Sequence, residues 1–252
     1  MAEDKDRKEK DELEERLENI LAPIFAVYLS SYRRAVQAGR PIPSGEFSVD
    51  DLSYSLDRHY RITQEKFRTR AFTGIDPVEF DAIASAKYQE LLDDWRAKVS
   101  VERAKLISET NYIQGGDTLV QAREALLSEQ PTATPVEVSI LAAALLKRKF
   151  DERRKMIAVT ETQAASESTK QLKIDAMEAS PRIVAAYVVV RTWNCSFRNS
   201  RDTHIGANQQ QRPNNIPFSV GVSTLNYPGD PSGPPREVIN CNCWLTSQVI
   251  PL

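Results

Sequence analysis

Cysteine and histidine are scarce in this chain, with three of the former and two of the latter in 252 residues. Three thiols cannot all pair within one chain, which argues against a disulfide framework and for maturation in a reducing cytosol. No apolar run approaches the roughly 20 residues that cross a bilayer. The opening MAEDKDRKEKDELEER is too charged for a secretory leader or a membrane anchor. A soluble protein with no membrane partner is therefore expected. An excess of one charge is missing too. The 33 Lys and Arg against 35 Asp and Glu leave a net charge of −2 and a pI near 5.9, so the whole molecule exerts no pull on nucleic acid. Contact with DNA would be local or enforced by confinement. There is no Gly-x-Ser-x-Gly, His-Glu-x-x-His, Gly-x-Gly-x-x-Gly or P-loop signature, and no internal repeat. No catalytic residue is assigned.

What is present is an ordinary 41% of hydrophobic residues, enough for a real core in one domain or two. Leu13, Leu17, Ile20, Ile24 and Tyr28 recur at helical steps, so the chain opens as a long amphipathic helix. Pro23 should kink or restart it, and its first dozen residues, nearly all charged, lack anchors, so fraying or partner-induced order is expected there. A break is expected from Gly39 to Gly45. Ser48 with Asp51 then opens a second helix, ended by Thr73-Gly74. Asp76-Pro77 should cap a third, packing through Phe80, Ile83, Tyr88, Leu91 and Trp95. Gly115-Gly116 reads as a turn, with Asp117 capping a short helix. Thr134, Pro135 and Glu137 form a capping box for a helix running to about Lys170.

After Pro181 the composition changes. Ile183 to Val190 reads as a buried strand, and Val238-Ile239 and Leu245 to Ile250 as further strands. A long stretch rich in Gln, Asn, Pro and Gly lies between them. The expected class is a mainly α N-terminal region of long helices (1–156) followed by a small α+β C-terminal domain with long loops (157–252).

The chemistry-bearing residues cluster in that second part. Residues two apart on an extended strand face the same way, so Cys241 and Cys243 could supply half of a tetrahedral zinc site. His204 and Cys195 are candidates for the other half. The competing reading is a set of buried, unliganded thiols, because cysteine is common in cores as a small apolar residue. His204 could equally hold its own loop together. The second histidine, His59, reads as helix surface or an inter-helix contact. Tyr227-Pro228-Gly229-Asp230-Pro231 is strong turn chemistry in which Asp230 can bond the backbone two residues on. Glu161, between Thr160 and Thr162, reads as a solvated glutamate.

Taken in order, these pieces resemble the phage Mu F-like head morphogenesis (minor capsid) proteins. That family shows a long helix ending in Arg-Thr-Glu-Thr, a tryptophan-bearing strand and Arg-x-x-His with a glycine. A phenylalanine, Pro-Gly-Asp-Pro and a closing Asn-Cys-Arg-Cys follow. The matching positions are Thr160, Glu161 and Thr162; Trp193; Arg201, His204 and Gly206; Phe218; Pro228, Gly229, Asp230 and Pro231; and Asn240, Cys241 and Cys243. Val159 and Asn242 replace basic residues of that pattern, and Gly206 follows His204 more closely than usual. The resemblance covers about 157–245. It implies a non-enzymatic protein of the virion, inside the head near the portal vertex after assembly in the host cytoplasm. The portal protein, the major capsid protein, or both would be its partners, with packaged DNA touched non-specifically. The alternatives are an enzymatic module acting on nucleic acid or protein through Arg201, His204, Glu161 and Asp230, or a zinc-stabilised adaptor.

Overall fold

The computed structural model describes residues 2–42, 48–68, 82–197 and 200–252. Four long helices come first: α1 (Ala2–Gln37), α2 (Val49–Phe67), α3 (Ala82–Glu129) and α4 (Pro135–Glu178). Then follow α5 (Pro181–Ala186), β1 (Tyr187–Asn194), α6 (Asp202–Gly206), β2 (Gln211–Pro213), β3 (Phe218–Val220), β4 (Ser223–Leu225), α7 (Pro235–Val238) and β5 (Trp244–Pro251). Long helices followed by a small region of antiparallel strands and loops is the expected class.

The chain divides into two units. One, formed by 14–57 and 99–158, is helical. The other takes 1–13, 58–98 and 159–252 and carries all the strands found among the described residues. The expected boundary at 156/157 lies beside the last junction, at 158/159, but the strand-bearing unit also recruits two earlier segments.

In the helical unit, local signals set the helix ends. The Asp51 N–H donates to Ser48 Oγ at 3.1 Å, the expected cap of α2. Thr134 and Glu137 close a reciprocal capping box. The Thr134 N–H donates to Glu137 Oε2 at 2.7 Å, and the Glu137 N–H to Thr134 Oγ1 at 3.3 Å. Helix α1 ends in a Schellman motif. Arg40 N–H reaches Ala35 O, Gly39 N–H reaches Val36 O, and Gly39 sits at φ +64°.

Two expectations for these helices are corrected. Helix α1 runs on through Pro23, and its buried stripe is Leu17, Leu21, Phe25, Tyr28 and Tyr32, one residue out of step with Ile20 and Ile24. Gly115-Gly116 is no turn, and Asp117 caps nothing: both glycines lie inside α3. The reason is a close approach. A Cβ on Gly115 would meet Tyr28 Oη at 3.1 Å and Tyr32 Cε2 at 3.4 Å, and the Tyr32 hydroxyl donates to Gly115 O at 3.1 Å. Gly116 has nothing within 4 Å. Gly116→Ala should therefore gain roughly 0.5–1 kcal/mol of stability by helix propensity. Gly115→Ala should lose that gain against the tyrosines. Equal gains in urea denaturation would show that nothing packs tightly on Gly115.

The strand-bearing unit is organised around the second half of α4. Every residue from Glu161 to Gln171 is buried, though most are polar. Such a helix survives inside a fold only if its polar groups find partners, and here they do. β1 is central in an antiparallel sheet of order β2-β1-β5, with Tyr187 opposite Pro251 and Asn194 opposite Trp244. β3 and β4 form a hairpin closed by Gly221-Val222, with Gly221 at φ +60°. The core gathers Ile174, Met177, Val189, Trp193, Phe218 and Leu245.

Further expectations change here. Ile183 to Ala186 belong to α5, started by Pro181 at its first position, so the strand begins only at Tyr187. Val238 closes α7, again with proline at its start, and is no strand. The strand expected at Leu245 to Ile250 is present as β5. Helix α4 runs past Lys170 to Glu178. In α3, Ile83 is exposed while Tyr88 and Leu92 are buried. The charged start of α1 does have an anchor: Lys10 Nζ donates to Gln163 Oε1 at 2.7 Å and Glu167 Oε1 at 2.9 Å. The expected helix end at Thr73-Gly74, the Asp76-Pro77 cap, the Phe80 contact and the 43–45 part of the first break lie outside the described residues.

Candidate metal centre

Three short pieces of chain meet at one buried point. Arg201 stands at the N-cap position of α6, and one turn of helix then presents His204 inward. Pro235 starts α7, which presents Glu237, and its end leads through Ile239 to Asn240 at φ +55°. Asparagine tolerates that left-handed conformation better than most residues. Cys241 and Cys243 follow, just before β5. The Arg201 guanidinium ties the two helices together by donating to Ile239 O at 2.5 Å.

His204, Cys241 and Cys243 are each about 1% exposed, and their ligand atoms all lie within 4.8 Å of one another. Nδ1 of His204 is 3.4 Å from Cys243 Sγ and 3.7 Å from Cys241 Sγ. Its Nε2 faces the other way, 3.3 Å from Glu237 Oε2, at ion-pair distance but not in hydrogen-bond alignment. The Trp193 ring stands edge-on to the imidazole, with centroids 5.6 Å apart and planes at 86°. The two thiols share a hydrogen bond. That bond, then burial, pushes Cys243 well above the usual thiol range, while the same bond holds Cys241 below it against burial. Cys195, the other candidate ligand, is buried in the same apolar core but stands outside this group. Its N–H donates to Asn208 Oδ1 at 2.9 Å.

The backbone around the two cysteines is stitched to one face of α4. The Asn240 N–H donates to Thr160 Oγ1 at 3.1 Å, the Gln163 amide donates to Cys243 O, and the Leu245 N–H donates to Glu167 Oε2 at 2.8 Å. Positions 160, 163 and 167 repeat at helical spacing, so one stripe of α4 receives the whole Cys-x-Cys segment. The next positions of the helix point elsewhere. Glu161 accepts from the Tyr60 hydroxyl at 2.6 Å, and Thr162 Oγ1 lies 2.9 Å from His59 Nε2. Glu161 is therefore buried, not solvated, and His59 is an inter-helix contact.

No protein-family model, curated protein or solved structure matches this chain.

The Pro228–Pro231 turn also leans on α4. Gly229 sits at φ +79°, and a Cβ there would lie 3.0 Å from Gln163 Cγ. Asp230 does what its position suggested: Oδ1 accepts from the Ser232 N–H at 2.9 Å and hydroxyl at 2.7 Å. Its Oδ2 accepts from the Asn226 N–H and side-chain amide, both at 3.0 Å. Gly206 closes α6, with open space where a Cβ would be. Phe218 packs on Trp193 with ring centroids 5.6 Å apart. The four residues an enzyme would use each engage a different partner. Glu161 lies with Tyr60, His204 with the thiols, Asp230 inside its own turn, and Arg201 on a backbone carbonyl.

Three residues of consequence escaped the sequence reading. Arg191 is fully buried. It donates to Gln171 Oε1 and Asn226 O at 2.7 Å, and to Ile216 O and Pro213 O at 2.6 and 3.1 Å. The signal was present: Val189, Arg191 and Trp193 share one face of a strand. Glu167 is the second, reached by Lys10 and Lys170 at 2.9 and 3.0 Å. Its place in a run of Ala, Ser and Thr was the only hint. Glu237 is the third, and nothing local distinguishes it from a surface acid.

The buried His204, Cys241 and Cys243 group can bind a metal ion. Zn–S of about 2.3 Å and Zn–N of about 2.0–2.1 Å at a tetrahedral angle place sulfur and nitrogen about 3.6 Å apart, and the observed separations are 3.4 and 3.7 Å. Both sulfur–nitrogen separations are thus compatible with a shared tetrahedral ion. Two thiols and an imidazole also suit zinc better than a hard cation such as calcium or magnesium.

Proposed function

We propose that this chain is a structural, non-enzymatic minor head protein of a phage, acting at the portal vertex inside the prohead in head assembly, DNA packaging and ejection. In this reading the C-terminal unit is a rigid knob stapled by zinc at His204, Cys241 and Cys243. When bound, the ion would cross-link α6 to the Cys-x-Cys segment. The observation that carries the reading is where the motif residues go. Thr160, Glu161, Trp193, His204, Asp230, Cys241 and Cys243 are scattered over some eighty residues of chain. All are buried in the strand-bearing unit, and most are engaged in internal hydrogen bonds. Such residues hold a fold together. The ordered resemblance to the Mu F-like proteins supplies the biological setting.

The portal protein, the major capsid protein, or both are the partners proposed for the helical region. The net charge of −2 lets the chain sit beside packaged DNA without gripping it. The test is composition and infectivity. Proheads purified on a density gradient should carry this chain in few copies, and particles lacking it should package or eject DNA poorly. Proheads devoid of the chain would end the reading. An assembly-competent His204→Ala or Glu161→Ala variant that had lost a hydrolytic activity would favour the enzymatic alternative.

A further inference from the structure

The imidazole of His204 has two nitrogens with different neighbours, and only one of them faces the thiols. Nδ1 looks at the two thiols. Nε2 looks at Glu237, which is 4% exposed although it is a carboxylate. That burial needs a reason, because a carboxylate taken out of water costs stability unless its oxygens are engaged. Its engagement is specific. The Thr203 hydroxyl, one residue before the histidine, donates to Glu237 Oε2 at 2.8 Å, the same oxygen that faces Nε2. Arg236 Nε lies 3.6 Å from the other oxygen. Thr203 is itself confined. A Cβ on Gly221, in the β3–β4 turn, would fall 2.6 Å from Thr203 Cγ2, so only glycine lets the hairpin close on it.

We propose that Glu237 is a positioning residue for a metal held by His204, Cys241 and Cys243. It keeps the proton on Nε2, so that the Nδ1 lone pair points at the ion. The inference rests on the metal reading above and deepens it. An imidazole ligates through one nitrogen, and the partner of the other decides which nitrogen that is. A carboxylate facing Nε2 attracts the N–H and so favours the proton on that nitrogen, which orients the ring and leaves the Nδ1 lone pair for the ion. The line Gly221–Thr203–Glu237–His204 thus connects the hairpin to the metal site through side chains that no local sequence signal links.

The test is metal affinity and histidine tautomer in the full chain. Cobalt(II) and zinc are titrated by chelator competition into wild type, Glu237→Gln and Thr203→Val, and the His204 ring nitrogens are assigned by long-range proton–nitrogen correlation. Glu237→Gln is expected to weaken both metals about 10–100-fold and to lose the single protonated-Nε2 tautomer. Thr203→Val should fall between it and wild type. A merely structural Glu237 would lower thermal stability without moving the tautomer. Wild-type affinity and tautomer in Glu237→Gln would overturn the role of Glu237 while leaving the metal site standing. Complete loss of the cobalt thiolate charge-transfer and ligand-field bands in Glu237→Gln, with the tautomer unchanged, would mean that Glu237 holds the ion by some means other than orienting the imidazole, which also overturns the role. A wild-type chain that takes up neither metal would overturn the metal reading itself, and the positioning role with it.

Discussion

Replacing Cys241 and Cys243 together by serine should empty the chain of zinc and produce the largest loss of stability of any change proposed for this protein. Purified wild type is expected to carry one zinc per chain by plasma mass spectrometry, and the double variant none. At free zinc about a thousand times the dissociation constant, linkage alone is worth roughly 4 kcal/mol, a large part of the roughly 5–15 kcal/mol that holds a typical domain. The cysteines also contribute packing, being about 1% exposed. Wild type stripped by a chelator separates the two effects. If zinc is the staple, stripped wild type melts nearly as low as the variant, and adding zinc back restores only the wild type. Wild type that contains no metal and melts identically with and without chelator would reduce these thiols to core packing.

Glu167→Gln should be the next most damaging change, and its cost should depend on pH. The carboxylate is fully buried and is met by Lys170, Lys10 and the Leu245 N–H. Burial alone would raise its pKa, but the two ammonium groups and the backbone donor outweigh it and hold the acid below its usual range. Removing one member of such a cluster leaves uncompensated charge inside, for a cost of about 3–5 kcal/mol. A depressed folded-state pKa means that the unfolded chain binds the proton more readily. The stabilisation is therefore complete above the unfolded value, about 4.3, and disappears as pH falls through the lower folded value. Urea denaturation should show wild type well above Glu167→Gln at pH 7, with the gap closing below about pH 4. A gap that is absent at pH 7, or constant down to pH 3, would show that the cluster does not hold Glu167 ionised.

Both predictions concern residues whose importance was unequally visible. Cys241, Cys243 and His204 stood out because such residues are rare here, and soft donors in a loop-rich segment imply few uses. Glu167 looked like one more helix glutamate. Its neighbours Lys10 and Leu245 come from opposite ends of the chain, and no window on the sequence contains all three. The same holds for Arg191, whose acceptors lie on α4, after β2 and after β4. Where the reading failed outright, a local signal met a distant contact. Gly115-Gly116 is strong turn chemistry, yet two tyrosines some eighty residues earlier make Gly115 a packing position inside a helix.

By itself the sequence determined what acts over four residues or fewer. That covers the Ser48 cap, the Thr134–Glu137 box and the Asp230 turn; longer-period patterning and composition added the helical class, the β5 strand and the few residues with soft donor atoms. The cap, the box and the turn follow from backbone dihedrals and short side-chain reach, which neighbours in the chain impose on each other whatever lies further off. Only the tertiary structure decided which polar residues are buried, that Thr160, Gln163 and Glu167 receive the Cys-x-Cys segment, and that Cys195 stands apart while Glu237 backs the histidine. Burial and partner choice depend on which distant segments share the low-dielectric interior. There a charge or an amide is tolerated only beside its partner, and the partner is chosen by the fold.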